Sequence, residues 1–255
     1  KGVNPVLCDE PEEPFKRLKL REGRLALGLV VFLLTGTAIY FKVITPSEWI
    51  NALKAGISEG PSYAGPSELA RNWNRFRGFG GAGRTSLTDI PTKWDGATGN
   101  GIIWKTKIPL SGFNSPIVWQ NRLFLSGADS EKRQVYCFDT STGTILWTGD
   151  VPTAPLGDKK FEVMEDTGYA ASSMATDGVR VYVIFATGDL AAFDFRGRLL
   201  WHKSLGIPVS LYGYASSLEV WQDRVIVQYD QAGAEDGKSR LFAFNGATGT
   251  LVWEA

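Results

Sequence analysis

Five carboxylates crowd the stretch Gly149 to Thr167: Asp150, Asp158, Glu162, Glu165 and Asp166. A divalent cation or an acid–base pair would use such groups, but their spacing matches no calcium loop, and a solvated acidic loop is the plainer reading. The second acidic run, Asp230 to Asp236, reads as a solvated hairpin tip. Gly78 to Gly83 (GFGGAG) spells the dinucleotide fingerprint, which works only between a strand and a helix. Here an Arg-rich polar segment precedes it and TSLTDIP follows, so nucleotide binding is not expected. His202 follows a Trp with no Ser or Cys nucleophile pattern nearby, and reads as a strand residue. Cys137 stands alone in a strand-like run, as a small buried hydrophobe does; Cys8 lies across a hydrophobic segment from it, and the two are not expected to pair. Arg71, Arg75, Arg77 and Arg84 read as a solvated charged face. Asp139 and Asp194 remain as candidate bases, but turns already account for both. No catalytic residue is assigned.

The elements that would position such groups recur. YCFDTSTGTILW (Tyr136 to Trp147), AAFDFRGRLLW (Ala191 to Trp201) and FAFNGATGTLVW (Phe242 to Trp253) share one order: an alternating run, an Asp or Asn (Asp139, Asp194, Asn245), a Gly four residues before the anchor (Gly143, Gly197, Gly249), and a Trp (Trp147, Trp201, Trp253). Asp or Asn can bond its own backbone two residues on, Gly takes the positive φ of a turn, and the Trp buries a large flat surface. A second motif precedes each copy in phase, with Ser115, Ser173 and Ser217 each seven residues before Arg122, Arg180 and Arg224. The Trp intervals are 54 and 52 residues, which is the size of a four-stranded propeller blade. Trp104 centres a further strand-like run, Trp94 to Ile108, in which Ile102 to Lys107 reads as the outer strand of a blade completed from elsewhere. Three complete units are fewer than a closed ring needs, so a larger propeller is expected, with more chain at both ends.

These copies resemble the pyrroloquinoline quinone (PQQ) type repeat, Ala-x-Asp-x-x-Thr-Gly-x-x-x-Trp, at Cys137 to Trp147, a one-residue-shorter Ala192 to Trp201, and Ala243 to Trp253. The Trp73 to Gly78 pattern is similar to the lead-in of such propellers. The resemblance covers roughly residues 71–255. It implies an all-β propeller of four-stranded, Trp-anchored blades, and two functions: a non-catalytic scaffold of the BamB kind, or a quinoprotein dehydrogenase oxidising an alcohol or sugar with PQQ and calcium. The Cys-Cys pair that active members of the family place beside the cofactor is missing here, which favours the scaffold and no cofactor.

Lys and Arg balance Asp and Glu at 27 each, and 44% of the residues are apolar, so nothing points to nucleic acid. Leu25 to Phe41 carries no charge, and apolar character resumes after Lys42. Twenty helical residues span about 30 Å, the hydrocarbon thickness of a bilayer. Five basic residues (Lys16, Arg17, Lys19, Arg21, Arg24) precede the span, which puts the N-terminus in the cytoplasm. The expected order is a cytoplasmic basic arm (1–24), a transmembrane helix (25–44), a juxtamembrane helix and Pro/Gly linker (45–70), and a periplasmic propeller (71–255) anchored in a bacterial inner membrane. Trp49, Ile50, Leu53 and Ile57 fall on one face of the juxtamembrane helix, as contacts to the bilayer or to other subunits of a membrane complex.

Overall fold

The computed structural model divides the chain into compact units 1–56 and 57–255, and describes residues 62–153, 161–231 and 233–255, all in the second unit. The expected transmembrane span and the Trp49, Ile50, Leu53 and Ile57 face lie outside the described residues. Among those described, no helix is long and apolar enough to cross a membrane.

Three antiparallel four-stranded sheets follow one another, each a meander in chain order. The first holds β1 (Ile117–Trp119), β2 (Arg122–Ala128), β3 (Arg133–Asp139) and β4 (Ile145–Asp150). The second holds β5 (Ala175–Thr176), β6 (Arg180–Ile184), β7 (Asp189–Asp194) and β8 (Leu199–Ser204). The third holds β9 (Glu219–Trp221), β10 (Arg224–Tyr229), β11 (Arg240–Asn245) and β12 (Leu251–Glu254). β-Branched and aromatic residues at alternate positions suit these strands, and the hairpins between them are short except for the β10–β11 loop at 230–239. The innermost strands β1, β5 and β9 neighbour one another. The arrangement is a partial β-propeller.

Its core lies between blades, because each sheet is apolar on both faces. Phe124, Cys137 and Phe193 pack with Trp147 between the first two blades, and Tyr182, Leu190, Val225 and Phe244 with Trp201 between the second and third. The β1–β2 and β3–β4 turns share one end of the first blade, where the Thr140 amide donates to the Asn121 carbonyl at 3.1 Å. We call this end the turn face. The β2–β3 loops and the connections between blades occupy the opposite end, the loop face.

Two sequence readings change. Ser62 to Pro66 is not a linker clear of the globule: the Ala64 amide donates to the Asp177 carbonyl at 2.7 Å and Arg180 donates to the Ser62 carbonyl at 3.1 Å. The single helical turn α1 (Pro66–Leu69) follows. Residues 102–107 form no strand, since none of the described residues completes a ladder beside them; the run still docks Trp104 on the first blade.

Candidate functional site

Each anchor Trp serves the blade after its own. The Trp104 indole N–H donates to the Thr140 carbonyl at 2.8 Å, Trp147 to Phe195 at 3.1 Å, and Trp201 to Gly246 at 2.8 Å. Beneath each ring lies the turn glycine of that next blade, with φ of 69° at Gly143, 86° at Gly197 and 70° at Gly249. A Cβ added to Gly197 or Gly249 would stand 2.8 or 2.7 Å from the Cδ2 of Trp147 or Trp201. These glycines therefore do two things: they take a left-handed turn conformation, and they leave a flat seat for an indole. Only the first was legible in the repeat. The Asp and Asn residues build the turns around the seats. Asp139 Oδ1 accepts from the amides of Ser141 and Thr142 at 2.8 and 3.0 Å, Asp194 from Arg196 and Arg198 at 2.9 Å each, and Asn245 from Ala247 and Thr248 at 3.0 and 3.1 Å. Partial burial raises the Asp194 pKa, but the amides of Arg198 and Arg196 outweigh it and hold the carboxyl below its ordinary value.

A fourth turn of this type escaped the sequence reading. Asp95 Oδ1 accepts from the Ala97 amide at 2.8 Å, and the Gly99 amide donates to the Asp95 carbonyl at 2.9 Å, as Gly143 does to Asp139. Its anchor, Trp104, comes one residue later than in the other copies, which hid the match. Gly99 has φ of 78° and, among the described residues, nothing within 4 Å of an added Cβ, so there it is a seat without an indole. Trp253 is the converse: 42% exposed, with no seat against it among the described residues.

The phased serines meet near the inner strands. The Ser115 amide donates to the Ser173 hydroxyl at 2.9 Å, and the Ser173 amide to the Ser217 hydroxyl at 3.1 Å, so one ladder links the three blades. On the loop face, Arg133 is buried: its Nε donates to Thr187 Oγ1 at 3.2 Å and lies 3.5 Å from Asp189, while its guanidinium covers the Tyr169 ring. Burial lowers the Arg133 pKa despite Asp189. His202 Nε2, from β8 of the same blade, lies 3.6 Å from the other Asp189 oxygen, beside the Arg133–Asp189 pair that bridges the first two blades. Above this cluster the connecting loops touch, with the Met164 amide 3.3 Å from the Leu211 carbonyl and the Val209 amide 2.6 Å from Gln231 Oε1. Phe113, Met164, Val209, Leu211 and Tyr212 are exposed there, Leu211 to 69%.

The family described as outer membrane protein assembly factor BamB, a PQQ-like repeat family, matches residues 85–208 and again 168–255. The chain belongs to this family. BamB from Moraxella catarrhalis is 24% identical over 60% of this chain and 42% of its own, with a TM-score of 0.43. The quinohemoprotein alcohol dehydrogenase ADHIIG from Pseudomonas putida HK5 is 20% identical, covering 76% of this chain and 28% of its own, with a TM-score of 0.55. The quinohemoprotein alcohol dehydrogenase from Comamonas testosteroni is also 20% identical, covering 79% and 30%, with a TM-score of 0.54. The chain thus spans less than half the length of each, and the two dehydrogenases share its fold. No curated protein matches it.

Within this BamB-family chain the donors for a quinone and a divalent ion can be tested directly. Among the described residues no three of His, Cys, Asp and Glu stand together as a metal site. Cys137 is wholly buried between blades, and burial pushes its thiol pKa up to about 11, the opposite of a reactive thiolate. The carboxylates of Asp139 and Asp194 are used by their own turns. These three groups are thus engaged in inter-blade packing and in their own turns.

Proposed function

We propose that this BamB-family propeller is a non-catalytic scaffold or accessory subunit of a membrane protein complex, held at a bacterial inner membrane by residues 25–44, with its N-terminus cytoplasmic and its blades in the periplasm. The observation that carries the reading is the loop face. Its exposed Phe113, Met164, Val209, Leu211 and Tyr212 come from connections of different blades that are tied to one another by hydrogen bonds. Exposed apolar residues gathered on one rigid face suit a protein partner better than a small polar substrate. The span at 25–44, uncharged up to Lys42, and the basic arm before it support the anchor and its orientation.

The test uses the full-length protein in its own membranes. A photo-crosslinker at Leu211 or Val209 is expected to capture membrane-complex subunits, and one at the turn-face residue Thr142 to capture none. Reconstitution with PQQ and calcium, followed by a dye-linked alcohol or sugar assay, is expected to give no turnover. Turnover would refute the scaffold in favour of a quinoprotein dehydrogenase.

A further inference from the structure

The lead-in before the blades crosses their inner edges one residue at a time. Trp73 pairs with β1: its amide donates to the Val118 carbonyl at 3.0 Å and its carbonyl accepts from the Val118 amide at 2.8 Å. The next residue, Asn74, meets the second blade through a single backbone bond, its carbonyl accepting from the Thr176 amide of β5 at 2.9 Å. Arg75 then forms an ion pair with Glu219 of β9, in the third blade. Three consecutive residues therefore hold three consecutive blades, the first two at the free backbone edge of the inner strand and the third through the Glu219 side chain.

The strap is itself braced. Arg75 Nε donates to the Gly78 carbonyl at 3.2 Å, and Gly78, at φ of 67°, packs beneath the Trp73 ring so closely that an added Cβ would stand 2.6 Å from it. Asn74 is 2% exposed and the Arg75 side chain 17% exposed, so this is an inserted segment and not a surface crossing. Arg75 consequently departs from the solvated role that its Arg-rich surroundings suggest. An unpaired strand edge is a place where a β-protein can slip or open; the strap pairs with two such edges through backbone bonds and holds the third blade through a side-chain ion pair.

We propose that Trp73, Asn74 and Arg75 form an axial pin that makes the inner strands of the three blades open and close as one unit. The pin acts whatever the loop face binds, so its test is separate from that of the scaffold reading. Blade edges held only by their own sheets would open independently; edges held by one tripeptide must release together.

Amide hydrogen exchange on the full chain reads this directly. Glu219→Gln, a change in the third blade, is expected to speed exchange of the Val118 and Thr176 amides, in the first and second blades, by about fivefold, while the Phe193 amide inside the second sheet is unchanged. Acceleration confined to the third blade would overturn the pin. If the variant unfolds more broadly, the wild-type protein still decides. In low denaturant, Val118 and Thr176 should share one opening free energy and one denaturant slope, and two different slopes would overturn it.

Discussion

Strand β6 of the second blade, Arg-Val-Tyr-Val-Ile, is buried at all five positions, whereas β10 of the third, Arg-Val-Ile-Val-Gln-Tyr, buries only Val225 and Val227 and exposes Gln228. The outer strands differ in the same way: β8 is mostly half-buried and β12 is exposed throughout. Their sequences are close to interchangeable, so the difference lies in what stands beside them. The second blade has an indole from the first seated on its Gly197 and gives its own Trp201 to the third. The third blade receives an indole but leaves Trp253 and the 63% exposed Trp221 uncovered among the described residues. A blade of this kind is stabilised as much by its neighbours as by its own ladder, as expected of repeat architectures.

The strongest way to break the comparison is to remove the anchors. Trp147→Ala should cost about 3–5 kcal/mol, because a ring between two blades is lost. The same change at Trp253 should cost less than about 1 kcal/mol, because its ring is partly solvated already. Denaturant midpoints of the two variants check this, and equal losses would mean that Trp253 has a seat. The seats come next. Gly197→Ala, with both a strained φ and an indole in the way, should cost about 2–3 kcal/mol. Gly99→Ala, with the strain alone, should cost about 1 kcal/mol. Thermal unfolding of the pair separates the two contributions.

Smaller effects sharpen the picture. Burial and then Asp177 push the Tyr182 phenol far above its ordinary pKa, and its hydroxyl donates to Asp177 at 2.6 Å. Tyr182→Phe should therefore lose about 1–2 kcal/mol. Burial also raises the phenol of Tyr214, whose buried hydroxyl has no partner among the described residues, so Tyr214→Phe should be neutral or gain up to about 1 kcal/mol in the same assay. The smallest effect belongs to Asp194. A carboxyl with a lowered folded pKa stabilises above the ordinary value of about 3.9 and ceases to as pH falls through the folded value. The gap in thermal midpoint between wild type and Asp194→Asn should be open at pH 7 and shrink as the solution is acidified below pH ~4.

The repeat was legible because its period, its turns and its anchors are all written locally: an Asp or Asn, a Gly and a Trp at fixed offsets dictate a hairpin whatever surrounds it. The copy at Asp95 was hidden by one extra residue before Trp104, and the strand expected at 102–107 did not form, because a strand needs a neighbour to pair with. The phased serines were visible as a pattern, but a spacing of seven says nothing about which hydroxyl meets which amide.

The sequence alone determined that four-stranded, Trp-anchored sheets of about fifty residues would follow one another, since turn chemistry and alternation act over a few residues. The tertiary structure decided which blade each indole serves, that Arg75 belongs to an ion pair across the inner edges and not to a solvated face, and that the apolar residues of the connecting loops gather on one end. Those facts rest on contacts between residues far apart in the chain, whose geometry is fixed only when the blades pack side by side.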